Sequence, residues 1–190
     1  VGKTKAVLPP LVSAWKEAGY TIYGTALAWR QARELADGGI DRINCRAMEP
    51  FINAAKAGHI ELNSRSVIVL DELSQIGTRQ LLELMRLRDA TGAKIVAMGD
   101  PKQCQAIEAG PVVELLRQSL GADAIPQIHT TVRQQTEDER RIVGMFRNGK
   151  VAEAIAAKRG DGTAELVPGG YRQAIHRIVA LYAEKRVAHP

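Results

Sequence analysis

The sequence has 190 residues, enough for one ordinary domain and part of another. Apolar residues make up 45% and charged residues 25%, a balance that excludes a disordered or disulfide-rich chain. There is no secretory leader and no run of ~18 apolar residues, so we expect a cytoplasmic protein without membrane insertion. The net charge of +5 is compatible with a phosphate-rich partner. Aromatic residues reach only 4%, which argues against stacking platforms for bases.

The apolar pattern alternates between short β-like runs and helical stretches, which predicts an α/β domain with a mostly parallel sheet. Strands are predicted at residues 20–25, 66–70, 94–99, 125–129 and 164–167. Helices are predicted at residues 5–18, 26–36, 48–57, 80–88, 112–120, 137–146 and 171–185. Trp15 and Trp29 stand in helical stretches, and we interpret both as packing residues rather than base-stacking ones.

The cysteines and histidines show no metal-binding spacing. Neither cysteine belongs to a CxxC pair, so we interpret both as reduced thiols. The residues concerned are Cys45, Cys104, His59, His129, His176 and His189.

Gly2-Lys3-Thr4 matches the end of the phosphate-loop pattern GxxxxGK[ST], and a helical stretch follows at once. In such a loop the lysine reaches the β and γ phosphate oxygens, and the Ser or Thr hydroxyl binds magnesium. A GKT tripeptide alone occurs by chance on many surfaces. Its weight therefore depends on the motifs downstream.

An apolar strand ends in two adjacent carboxylates, Asp71 and Glu72, which is the pattern of a Walker B element. At the carboxyl end of its strand, Asp71 can hold a hydrated magnesium ion beside the phosphate loop. Glu72 can then act as general base on the attacking water. The alternative is a buried strand followed by a solvated acidic turn.

A third motif, Gly99-Asp100-Pro101-Lys102-Gln103, directly follows the next apolar strand. The Gln103 side chain could reach the γ-phosphate from there. Taken alone, Gly-Asp-Pro could be an ordinary turn. The three signals occur in order, each at a strand end, and this favours the functional interpretation.

These residues together give the chain its resemblance to the RecD-like superfamily 1 DNA helicases, and most of all to the helicase region of TraA-type conjugative relaxases. The likeness covers about the whole chain, and the GDPKQ element is its most specific part. The matching segments are Gly2-Lys3-Thr4 (motif I), Tyr23-Gly24-Thr25-Ala26 (motif Ia), Asp71-Glu72 (motif II), Gly99-Asp100-Pro101-Lys102-Gln103 (motif III) and Val132-Arg133-Gln134 (motif IV).

The resemblance implies that Gln103 couples the γ-phosphate to DNA contacts and that Arg133 supplies positive charge to it. Without the family, Arg133 would be read as a plain surface cation. In motif Ia, Thr25 and Arg30 are the candidates for contacting the backbone of single-stranded DNA. Thr25 could also be the N-cap of a helix beginning at Ala26.

The resemblance implies a RecA-like P-loop NTPase domain over residues 1–131 and the incomplete beginning of a second RecA-like domain over residues 132–190. The intact protein would bind ATP and Mg²⁺ and act as a helicase on single-stranded DNA in conjugative plasmid transfer. Its further partners would be a relaxase domain in the same chain and the conjugative secretion machinery.

Two alternatives stay open at this point. One is a non-catalytic DNA-binding or secretion-recognition module of a relaxase. The other is a P-loop ATPase that does not act on nucleic acid, although GDPKQ followed by VRQ argues against it. Because the first half of the phosphate loop and the later motifs V and VI are not in the sequence, we expect the chain as given to hydrolyse ATP poorly or not at all.

Overall fold

The computed structural model describes residues 6–100, 111–121, 125–126 and 136–188. Its chain divides into two compact units, Val1–Arg133 and Gln134–Pro190. Gly2, Lys3, Thr4, Gln103 and Arg133, which the sequence singled out, lie outside the described residues.

The first unit is built on a four-stranded parallel sheet. Its strands are β1 (Thr21–Ala26), β2 (Cys45–Ala47), β3 (Ser66–Leu70) and β4 (Lys94–Ala97), in the order β2-β1-β3-β4. β1 pairs with β3 from Thr21 opposite Ser66 to Thr25 opposite Leu70, so both strands end at the same edge. Parallel neighbours require crossover connections, and helices supply them here. The predicted α/β fold with a mostly parallel sheet is confirmed.

The helices of the first unit are α1 (Leu8–Glu17), α2 (Trp29–Glu34), α3 (Met48–Lys56), α4 (Thr78–Thr91) and α5 (Val112–Leu120), with single 3-10 turns at Leu35–Gly38, Arg42–Asn44 and Leu73–Gln75. Gly92 ends α4 in the left-handed region with φ of 72°, a conformation that glycine adopts without a Cβ penalty.

Two apolar clusters cover the two faces of the sheet. Successive residues of β3 alternate between them, because side chains along a strand point to opposite faces. Val67 and Val69 pack with α1, whereas Ile68 and Leu70 pack with α3 and α4. All five residues of β3 are buried, which explains why its sequence is almost wholly apolar.

The second unit consists of helices α6 (Glu137–Arg147), α7 (Val151–Gly160) and α8 (Tyr171–Ala188) in its described part. Thr136 caps α6: its hydroxyl accepts a hydrogen bond from the Glu139 N–H at 3.2 Å. α6 and α7 pack together and bury Ile142 and Ala154. Among residues 6–100, 111–121 and 136–188, no helix is both long and apolar enough to cross a membrane.

Several predicted elements need correction. Residues 164–167 form no strand, and Leu166 is exposed there; the turns on either side had suggested a strand, but none of the strands in the described residues pairs with this segment. The short strand β2 and the helix α7 were missed. The predicted helix at 26–36 begins only at Trp29, because Ala26 still belongs to β1. The predicted strand at 125–129 lies mostly outside the described residues, and residues 125–126 are not in a strand.

Candidate functional site

Three motif segments meet where β1, β3 and β4 end. The Asp71 N–H donates to the Thr25 carbonyl oxygen at 3.0 Å, which joins the ends of β3 and β1. Met98 connects the ends of β3 and β4: its N–H donates to the Leu70 carbonyl at 2.8 Å, and its own carbonyl accepts from the Leu73 N–H at 2.8 Å. The carboxyl edge of the sheet thus brings motifs Ia, II and the start of III together, as parallel strands allow.

Asp71 and Glu72 are both half-buried at this edge. The Asp71 carboxylate accepts the Glu72 N–H at 2.9 Å, so it fixes the first peptide after the strand. Glu72 has φ of 52° and ψ of 46°, the left-handed region, and it is the one non-glycine residue with positive φ in the part of the chain described. This conformation costs a non-glycine residue ~1–2 kcal/mol, and such strain is concentrated at functional sites.

Gly99 fits closely against the turn that follows Glu72. A Cβ atom at position 99 would lie 3.0 Å from the Leu73 Cβ and 3.4 Å from the backbone nitrogens of Leu73 and Ser74. The first of these distances is one that real side chains can occupy only if a neighbour moves. Packing against motif II therefore favours a glycine at this position of motif III.

Thr25 is fully buried, and its hydroxyl has no hydrogen-bond partner among the described residues. The interpretation of Thr25 as a helix N-cap is wrong, because Thr25 lies inside β1 and the N-cap of α2 is Ala28. Its burial also does not suit a direct DNA contact through the hydroxyl. What Thr25 contributes in the structure is the backbone carbonyl that positions Asp71.

Arg30 is the motif Ia candidate that reaches the surface. Its side chain is 91% exposed and forms an ion pair with Glu34 at 3.3 Å. An exposed pair of this kind contributes little to stability, so the guanidinium can exchange partners readily. Trp29 beside it is 45% exposed, which corrects its interpretation as a packing residue. Trp15, by contrast, is half-buried against the apolar cluster beside α1.

Sequence reasoning missed a pair of glutamines that links α2 to the turn after Glu72. Gln31 Nε2 donates to Gln75 Oε1 at 2.9 Å, and Gln31 Oε1 accepts the Ala28 N–H at 3.2 Å. The Gln75 N–H in turn donates to the Glu72 carbonyl at 2.8 Å. Only the position of Gln31, three residues after the N-cap, gave a signal in the sequence, since glutamine is favoured there.

The oxygen atoms at this edge suit a hard cation. Carboxylates are the ligands Mg²⁺ prefers, and it usually takes one or two of them together with substrate phosphates. Within the described ranges, no three His, Cys, Asp or Glu side chains group as a metal cage. Ser74, in the turn after Glu72, has a buried hydroxyl without a partner among these residues, as Thr25 does. A carboxylate pair with nearby polar atoms fits a magnesium site that is completed by substrate phosphates better than a site made of protein ligands alone.

Comparison with known proteins places the chain in a family. A family model described as an AAA domain matches residues 1–167. The Conjugal transfer protein TraA of Rhizobium radiobacter is 29% identical over 182 residues, 94% of this chain and 16% of that protein. The Probable conjugal transfer protein TraA of Sinorhizobium fredii is 30% identical over 157 residues, 82% of this chain and 14% of that protein. Conjugal transfer protein TraA of Agrobacterium fabrum is 28% identical over 183 residues, 94% of this chain and 16% of that protein.

The chain thus spans only 14 to 16% of the length of these curated relatives. The family model, however, covers most of the chain and includes every motif segment described above. The parallel sheet with its flanking helices agrees with a RecA-like P-loop fold. The chain belongs to the AAA domain family, within its RecD-like helicase group.

Proposed function

We propose that this chain is a fragment of an ATP-hydrolysing DNA helicase that moves along single-stranded DNA during conjugative transfer. The observation that carries the proposal is the meeting of three motif segments at one sheet edge, where Asp71 N–H binds the Thr25 carbonyl and Leu73 N–H binds the Met98 carbonyl. Similarity to proteins named for conjugal transfer supports the biological setting.

The carboxylate pair would divide the work of hydrolysis. Asp71 would hold magnesium together with the Thr4 hydroxyl, and Gly2 and Lys3 would bind the phosphates of ATP. Magnesium, when bound, supplies charge neutralisation at the phosphate oxygens. Glu72 would accept a proton from the attacking water. The left-handed turn sets the Glu72 backbone apart from that of Asp71, so the two carboxylates can serve different purposes.

Two further residues would complete the site in this proposal. Gln103 would contact the γ-phosphate and report its presence to the DNA side. Arg133 would stabilise the charge that builds on the transferred phosphoryl group, an effect worth ~10³- to 10⁵-fold in rate in comparable enzymes.

DNA would contact the same domain through the segment after β1. Arg30 offers an exposed cation at the start of α2, and the Gln31–Gln75 hydrogen bond ties this short helix to the turn that carries Glu72. A DNA strand bound at α2 would therefore act on the turn through the contact between the Gln31 and Gln75 side chains. Phosphate contacts of this kind are independent of sequence and weaken with salt, with a slope of ~0.7 per phosphate neutralised on single strands.

The proposal is tested with Glu72→Gln in a full-length protein that carries this domain. We expect ATP binding to persist while turnover falls ~10²-fold or more, the scale of losing a general base. Glu49→Gln makes the same chemical change at an exposed position of α3 and should leave turnover unaltered. Hydrolysis that does not respond to Glu72→Gln would overturn the assigned role.

A second measurement separates the proposed motor from a non-catalytic module. Single-stranded DNA should stimulate ATP hydrolysis by the unaltered protein. A protein that binds DNA but hydrolyses no ATP would instead be the DNA-binding or secretion-recognition module considered above. Binding that differs strongly between base sequences, or that barely responds to salt, would contradict the sequence-independent contact through the DNA backbone.

A further inference from the structure

Trp29 leaves a large aromatic ring at the surface beside the candidate site. It is the first residue of α2, three positions after the end of β1, and 45% of it is exposed. Tryptophan is highly buried on average, and where its ring stays exposed it is enriched at binding interfaces. Leu27, two residues earlier, is also 40% exposed. The segment after β1 therefore presents apolar surface that packing inside the first unit does not use.

Two arginines share the short helix α2 with this ring. The Arg33 guanidinium lies 5.7 Å from the Trp29 ring centroid, one turn further along α2. Arg30 follows Trp29 directly and has an almost fully exposed side chain. Glu34, at the end of α2, pairs with Arg30 at the surface. Residues 27–33 otherwise carry two arginines and no acidic side chain, which favours a ligand that combines a flat ring with negative charge.

We propose that Trp29 is a stacking platform for a base of single-stranded nucleic acid, with Arg30 and Arg33 supplying positive charge to the neighbouring phosphates. The inference rests on the proposed function and adds a base contact to the expected contact with the DNA backbone. Aromatic rings flanked by basic side chains bind single strands in this way, without reading the sequence, because every base has a π face. In a duplex those faces are stacked on one another and are not accessible.

The test compares two oligonucleotides of equal length, one of dT and one that is abasic and has only the sugar-phosphate backbone. The full chain should bind dT about 5- to 150-fold more tightly, the fold-change that stacking of one base supplies. Trp29→Ala should remove this preference and leave the affinity for the abasic strand unchanged. Trp29→Tyr should restore most of the preference.

Fluorescence gives an independent measurement. The sequence has two tryptophans, so in a Trp15→Phe chain the emission reports Trp29 alone. We expect dT to quench this emission and the abasic strand to leave it unchanged. If Trp29→Ala does not fold, Trp29→Tyr and the fluorescence titration still test the stacking proposal.

A preference for dT that survives in Trp29→Ala, or emission that does not respond to dT, would overturn the stacking proposal. Equal binding of dT and abasic strands by the unaltered chain would overturn it too, while leaving the proposed contact with the DNA backbone intact. If neither oligonucleotide binds, both the stacking proposal and the DNA half of the proposed function are wrong. A melting temperature lowered by Trp29→Ala with an unchanged preference would mean that the ring packs against protein instead.

Discussion

Replacing Glu72 by alanine and by glycine separates the strain of its backbone from the role of its carboxylate. Both variants lose the carboxylate, and they differ in how well they tolerate φ of 52° and in the freedom of the unfolded chain. Alanine retains the left-handed penalty of ~1–2 kcal/mol, and glycine does not. Glycine in turn loses ~0.5–1 kcal/mol through the greater freedom of its unfolded chain. The glycine variant should therefore be the more stable by ~0–1.5 kcal/mol.

Urea unfolding followed by circular dichroism measures this difference as the free energy of unfolding. In a melting experiment, 1 kcal/mol corresponds to a shift of ~2–4 °C for a chain of this size. Glu83, in the middle of α4, gives the matched control, because both of its variants lose the same ion pairs with Lys56 and Arg86. In that right-handed helix the order should reverse, with glycine less stable than alanine by ~0.5–1 kcal/mol.

The difference in the free energy of unfolding between the glycine and alanine variants is therefore expected to have opposite signs at positions 72 and 83. If the alanine variant at position 72 is more stable than the glycine variant, the left-handed backbone carries no strain. ATP hydrolysis by a full-length protein provides the second comparison. It should be lost equally in both Glu72 variants, because the carboxylate is absent from each.

Three further predictions concern the surroundings of the site. Gly99→Ala should destabilise the fold by ~1–3 kcal/mol in urea unfolding, since the new Cβ would lie 3.0 Å from the Leu73 Cβ. The control is Gly144→Ala, whose Cβ would have no atom within 4 Å and should not destabilise the fold. A double-mutant cycle of Gln31→Ala and Gln75→Ala should give a coupling of ~0.5–1.5 kcal/mol, and either variant should reduce DNA stimulation of ATP hydrolysis; additive effects would exclude the coupling. Burial raises the pKa of the Cys45 thiol to about 11, so native protein with the other cysteine replaced by serine should react slowly with iodoacetamide at pH 8. The folded state retains this proton after the unfolded chain has lost it, so stability should fall as pH rises above ~8.5; rapid labelling or rising stability would contradict this.

The parts of the fold that could be predicted are those in which local pattern and tertiary environment agree. β3 was predicted with its observed bounds, because a strand buried on both faces needs an apolar residue at every position. β2 was missed since three residues, Cys45–Ala47, are too few to show a period. Residues 164–167 show the opposite error, because a segment between two turns forms a strand only where another strand supplies hydrogen-bond partners.

The sequence could predict those parts of the candidate site that lie at the ends of strands. Asp71 and Gly99 each follow an apolar strand, and parallel strands end at a common edge, so their proximity could be predicted. The burial of Thr25 could not be predicted, because it depends on β1 continuing for one residue more than the periodicity suggested. The exposure of Trp29 follows from the same shift, since α2 then begins at the ring itself. The low aromatic content gave no indication of where the few rings lie.

The turn that carries Glu72 is held from two sides. The Leu73 N–H binds the carbonyl of Met98 after β4, and the Gln75 side chain accepts from Gln31 in α2. A strained left-handed residue persists only where its surroundings fix it, and both contacts contribute to retaining the Glu72 conformation. The contact from β4 belongs to the sheet and is rigid. α2 has only six residues and contacts the turn through the Gln31–Gln75 hydrogen bond, so it is the side on which bound DNA could change the position of the carboxylate.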